Sequence, residues 1–92
     1  MNENNLSRER IMGLAVSENG FLFDTWTGST YSMNRTGAII LRALQDEMTL
    51  DDIAVKLADE FDVDRDTART DIQHFIEQLF DLKILEHEVE RD

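Results

Sequence analysis

Cysteine and proline are both absent from this 92-residue chain. Without cysteine there is neither a disulfide scaffold nor a thiolate metal site. Without proline no helix is interrupted by a missing amide, which suits a compact helix-rich domain. Basic residues are scarce: nine Lys and Arg stand against twenty Asp and Glu, a net charge of −11. That balance disfavours nucleic acid, because affinity for phosphate is built from Lys and Arg. It equally disfavours electrostatic docking on an anionic membrane. Long apolar runs are missing as well. The longest, Ala38 to Leu41, is four residues, whereas a membrane span needs about 20. The first ten residues lack the apolar core of a signal peptide. These absences point to a cytoplasmic protein with no membrane segment.

What is present fits one small domain. The apolar fraction is 41%, enough for a modest core. The reading divides the chain into an unstructured segment over residues 1–10, a folded domain over 11–85, and an acidic tail over 86–92. Met12, Leu14 and Val16 alternate with small or polar residues at the period of a strand. Asn19-Gly20 then signals a hairpin turn. A second strand over Gly20 to Asp24 sets Phe21 and Phe23 on one face and Leu22 on the other. Gly28 closes the next turn. A third strand, Ser29 to Met33, points Tyr31 and Met33 one way and Thr30 and Ser32 the other. The expectation is a three-stranded antiparallel meander with one apolar face.

From Asn34 the period changes to 3.6. Asn34 is a good N-cap for a helix from Arg35 to Gln45. Thr49 caps a second, with Leu50, Ile53, Ala54, Leu57, Ala58 and Phe61 along one stripe. Asp64 or Asp66 caps a third that runs to Leu82, after which Ile84 and Leu85 close on the core as a short strand. The fold class is therefore α+β and winged-helix-like: a three-stranded antiparallel sheet followed by three helices.

No catalytic or metal constellation emerges. Gly13, Gly20, Gly28 and Gly37 are not spaced as a phosphate loop. His74 and His87 are too far apart for a two-histidine metal motif. Carboxylate pairs such as Asp51-Asp52 suit helix N-termini better than acid–base work. No metal, no cofactor and no enzymatic activity are expected. The winged-helix pattern raises DNA binding, but the last helix carries a net charge of −3 over Asp64 to Leu82, which phosphates would repel. Three features could serve binding. The strand Ser29 to Met33 lies at a sheet edge and offers unpaired main-chain groups to another extended chain. The last helix has an over-wide apolar stripe. Trp26 sits at a turn tip, either as a partner anchor or folded back on its own hairpin.

Several blocks also resemble the PqqD-like peptide chaperones, or RiPP recognition elements. They are Thr27 to Gly37, Ile40-Leu41 with Leu44-Gln45-Asp46, Thr49 to Ala54 with Leu57, Phe61 to Asp64, Asp71-Ile72 with Phe75-Ile76 and Leu79, and Lys83-Ile84-Leu85. Met33 departs from the usual Leu, and Glu47 from a common Gly. The resemblance spans Phe21 to Leu85. It implies a non-enzymatic adaptor that binds the leader segment of a ribosomally made precursor peptide and presents it to a modifying enzyme, often a radical-SAM enzyme. It implies a peptide strand added beside the third strand and resting against the last helix. On these grounds the expected peptide-binding residues are Ser29, Thr30, Tyr31, Ser32 and Met33, with Asp71, Phe75, Gln78 and Leu82 on one helix flank. Ile76 and Phe80 share the opposite flank. A winged-helix regulator or interaction module without a leader peptide remains the alternative. Either would be a monomer or an edge-paired dimer.

Overall fold

The computed structural model describes residues 8–17 and 19–85. In chain order the elements are α1 (Arg8–Met12), β1 (Leu14–Val16), β2 (Phe21–Asp24), β3 (Thr30–Ser32), α2 (Arg35–Gln45), α3 (Leu50–Phe61) and α4 (Arg65–Asp81). The sheet is an antiparallel meander in the order β1-β2-β3. Its register pairs Leu14 with Asp24, and Leu22 with both Val16 and Tyr31. The α+β, winged-helix-like reading therefore holds, with one addition. A short helix precedes the sheet, and Met12 belongs to it rather than to the first strand. The unstructured segment expected at 1–10 and the tail at 86–92 fall outside the described residues, except that Arg8 to Arg10 are helical.

Local chemistry explains where each helix starts. The Asn34 side chain accepts a hydrogen bond from the Gly37 amide at 2.8 Å, Thr49 Oγ1 accepts from Asp52 at 3.0 Å, and Asp64 accepts from Thr67 at 2.8 Å. Each cap satisfies an amide that the first turn leaves without a helical partner. The Thr67 amide and hydroxyl hold the Asp64 carboxyl below the usual carboxylate range. Ile84 and Leu85 do not form a strand. Ile84 and Leu85 both donate their amides to the Leu79 carbonyl, at 2.9 and 3.1 Å, after Lys83 takes a left-handed φ of 65°. That turn folds both side chains into the core.

The core is one cluster. Leu14 and Leu22 contribute from the sheet, Ile40 and Leu41 from α2, Ile53 and Leu57 from α3, and Ile72 and Leu79 from α4. The inner sheet face is the Leu22 face. Phe21 and Phe23 lie on the outer face, 49% and 43% exposed, so the sheet carries apolar residues on both sides rather than on one.

Asp24 shares the inner face with Leu22 and is 1% exposed. Its burial is offset by Arg10 of α1, whose guanidinium donates to both carboxylate oxygens, at 2.8 and 2.5 Å. The Trp26 amide adds a third hydrogen bond at 3.0 Å. Arg10 stacks at 4.7 Å from the centroid of the Trp26 ring. The ring presses so closely on Gly13 that a Cβ there would lie 2.5 Å from the indole nitrogen. Trp26 is thus folded against α1 and the start of β1, not onto its own β2–β3 hairpin, while remaining 60% exposed.

The Arg10 hydrogen bonds hold the Asp24 carboxyl well below the usual carboxylate range. An unfolded Asp takes up its proton near pH ~3.9, before the folded one does. The stabilisation is therefore fully present above that pH and lost as pH falls through it toward the folded value. Asp24→Ala should lower unfolding free energy at neutral pH by about 3 kcal/mol, because the arginine loses its buried carboxylate. Urea titrations at a series of pH values should show the gap between wild type and variant shrinking below pH ~4.

Candidate functional site

The two sheet edges differ in what meets them. Ser17 and Gly13 bond across to Phe21 and Thr25, so by alternation Leu14 and Val16 turn their carbonyls away from β2. Both carbonyls are met by α2. Gln45 Nε2 donates to Leu14 O at 2.6 Å and to Ile11 O at 3.1 Å, and Arg42 reaches Val16 O at 3.4 Å. Side chains from α2 thus occupy the outward carbonyls of this edge.

The β3 edge is different. The Asp24 amide donates to Ser29 O at 2.8 Å and the Met33 amide to Gly20 O at 2.7 Å. Ser29, Tyr31 and Met33 therefore serve the ladder with β2, while Thr30 and Ser32 turn their N–H and C=O outward. Among the described residues, none supplies those groups a partner. This is an open template for another extended chain.

Beside that edge runs a cleft of about 120 Å³ between β3 and α4. Tyr31, Ser32 and Met33 line one wall, Phe75, Gln78 and Leu82 the other, and Leu22 and Leu79 the base. Its volume is well below the ~300 Å³ of a small-molecule pocket and suits a single apolar side chain. Leu82 is 44% exposed at its mouth. Gly37 of α2 sets how deep the wall lies, since a Cβ there would come within 2.9 Å of the Phe75 ring.

Six of the nine residues expected from sequence thus meet around one cleft. Thr30 lies on the open edge, outside the cleft. Ser29 turns its carbonyl to β2, and Asp71 sits exposed one turn before Phe75 without lining the cleft. Leu22, Asn34 and Leu79 line it too. The alternation of Leu22 against Phe21 and Phe23 was the available signal for the first of these. The opposite flank of α4 holds a wider groove, about 670 Å³, bounded by Leu50, Ile72, Ile76 and Phe80. Among the described residues no group of three His, Asp or Glu could hold a metal ion, and no helix is long and apolar enough to cross a membrane.

Residues 19–85 match the family described as Coenzyme PQQ synthesis protein D (PqqD). The chain belongs to the PqqD family. Among solved structures it is similar to TbiB1 in complex with the TbiA(beta) leader peptide, with a TM-score of 0.67, 23% identity, and coverage of 84% of this chain and 91% of that one. It is also similar to a lasso peptide synthetase B1 complexed with the leader peptide. There the TM-score is 0.64 and the identity 26%, over 90% of this chain and 91% of that one. No curated protein matches it.

The closed edge yields a test of this PqqD-family fold. Gln45→Ala removes the donor from two part-buried carbonyls. It should lower unfolding free energy by about 1–3 kcal/mol, the cost of unsatisfied buried groups. Urea denaturation monitored by circular dichroism measures it.

Proposed function

We propose that this chain is a peptide chaperone. It binds the leader segment of a ribosomally synthesised precursor and presents it to a peptide-modifying enzyme, in the cytoplasm where the precursor is made. The observation that carries this reading is the open main-chain edge at Thr30 and Ser32 beside the Phe75–Leu82 flank of α4. Membership of the PqqD family and the likeness to two leader-peptide complexes support it. In this reading the leader adds a fourth strand next to β3. Its main chain bonds to Thr30 and Ser32, and one apolar side chain enters the cleft against Phe75 and Leu82. Main-chain pairing contributes affinity with little regard to sequence, and the cleft selects the anchor. Apolar burial there contributes roughly 25 cal/mol per Å² before the cost of ordering the peptide. The chain contributes binding and placement and performs no catalytic step. A radical-SAM enzyme is one partner class that such a chaperone would serve.

Amide-shift mapping by NMR tests the groove. Titrating the leader peptide of a precursor encoded beside this chain should move Thr30–Met33 and the Phe75–Leu82 segment most. Shifts confined to α3 would refute it. Ser32→Pro removes a donor that faces the ligand and not the β2 ladder, so the domain should stay folded. Leader affinity should fall by about tenfold, as expected for a lost edge hydrogen bond plus a stiffened strand. Thr30→Ala and Ser32→Ala should change it little, because the ladder is read through the main chain. Gly37→Ala forces the Phe75 ring to shift. Fluorescence anisotropy should show weaker leader binding, by severalfold, even though alanine is the better helix former by roughly 1 kcal/mol.

A further inference from the structure

The groove on the opposite flank of α4 is several times larger than the cleft at β3, about 670 against 120 Å³. Ile72 forms part of its floor, and Leu50, Ile76 and Phe80 line it half-buried. Its rim is acidic. Asp51 is paired with Arg69 at 3.1 Å, which leaves Glu77 and Asp81, one helical turn apart, as the net charge of the groove.

We propose that this groove docks the peptide-modifying enzyme, through a segment of that enzyme that carries an apolar anchor flanked by Lys or Arg. The proposal rests on the chaperone reading above. A presenting protein must hold leader and enzyme together, so the enzyme requires a surface that the leader leaves free. The two flanks of α4 provide separate surfaces on one rigid helix. Charge selects the occupant. In a symmetric contact between two copies of this chain, the acidic excess of one groove would meet the same excess on the other, which like-charge repulsion disfavours. The chain's own end, Glu86 to Asp92, has a net charge of −3 and is repelled by the same rim. A basic, apolar segment of another protein complements both floor and rim.

The test uses the full chain, the leader peptide, and the purified peptide-modifying enzyme encoded beside this chain, each titrated by calorimetry. Glu77→Lys/Asp81→Lys changes only exposed side chains. It should weaken enzyme binding by about tenfold or more, and leader binding should stay within about twofold of wild type. Phe80→Ala should give the same split, because it removes the apolar wall. Raising salt to ~0.5 M should weaken the enzyme contact more than the leader contact, since exposed charges are screened. Enzyme affinity unchanged in the charge-reversed variant would overturn the proposal. So would a leader that maps to Ile76 and Phe80, no enzyme binding by wild type, or equal loss of both ligands. If wild type bound the enzyme through this groove but no leader anywhere, the chaperone reading would fall and the docking surface would stand.

Discussion

A three-stranded sheet has two edges, and α2 can close only one of them. Gln45 and Arg42 project from that helix onto the outward carbonyls of Leu14 and Val16. Edge main-chain groups are a standing hazard of uncontrolled pairing. Here the outward carbonyls on the β1 side are taken, whereas Thr30 and Ser32 on the β3 side have no partner for theirs among the described residues. The asymmetry gives the domain a single address for an added strand. It follows from two polar residues in the last turn of α2, since Gln45 serves Leu14 and Arg42 reaches Val16.

The same helix sets the depth of the cleft next to the open edge. Asn34 fixes where α2 begins, by capping the Gly37 amide. Gly37 then lets Phe75 of α4 approach closer than any side chain would allow. Sheet, α2 and α4 are therefore registered against one another at one point, directly behind β3. Arg10 and Asp24 play the corresponding part at the other side of the sheet, tying α1 to β2 through two hydrogen bonds. A buried ion pair of this kind adds little net stability over an apolar pair, yet either partner alone is costly. It favours one placement of α1 over the alternatives.

Much of this was legible in the sequence, because the signals were local. Asn34 and Thr49 are caps by side-chain chemistry alone and cap the helices expected of them, and of Asp64 and Asp66 it is Asp64 that caps α4. Gly20 and Gly28 take the positive φ values, 90° and 83°, that their turns demand. The edge position of β3 followed from the meander order. The failures were of another kind. Met12 matched the strand period with Leu14 and Val16 by coincidence, and α1 is too short for a helical period to show. Nothing local marked Asp24 as buried, because its partner, Arg10, is fourteen residues away. The capping of the β1 edge depends on contacts 26 and 31 residues apart in sequence, which no spacing rule reveals. The helical wheel separated the two flanks of α4 correctly, but it could not rank them by size, since groove width depends on where Leu50 of α3 lies.

In the proposed reading, recognition through a sheet edge divides the work between main chain and cleft. Main-chain bonds of the kind proposed at Thr30 and Ser32 are blind to side chains, so they would tolerate many peptides. Discrimination is left to a cleft with room for a single apolar anchor. One such anchor is worth roughly 1.5–3 kcal/mol when fully buried. Affinity built this way is moderate and the peptide can leave again, which a protein that hands its ligand to another requires. A deeper cleft would hold the leader more tightly but would slow that transfer, because affinity gains appear mainly in the dissociation rate. The close packing of Phe75 on Gly37 fixes where that wall lies. The geometry of the cleft thus limits affinity as much as it creates it.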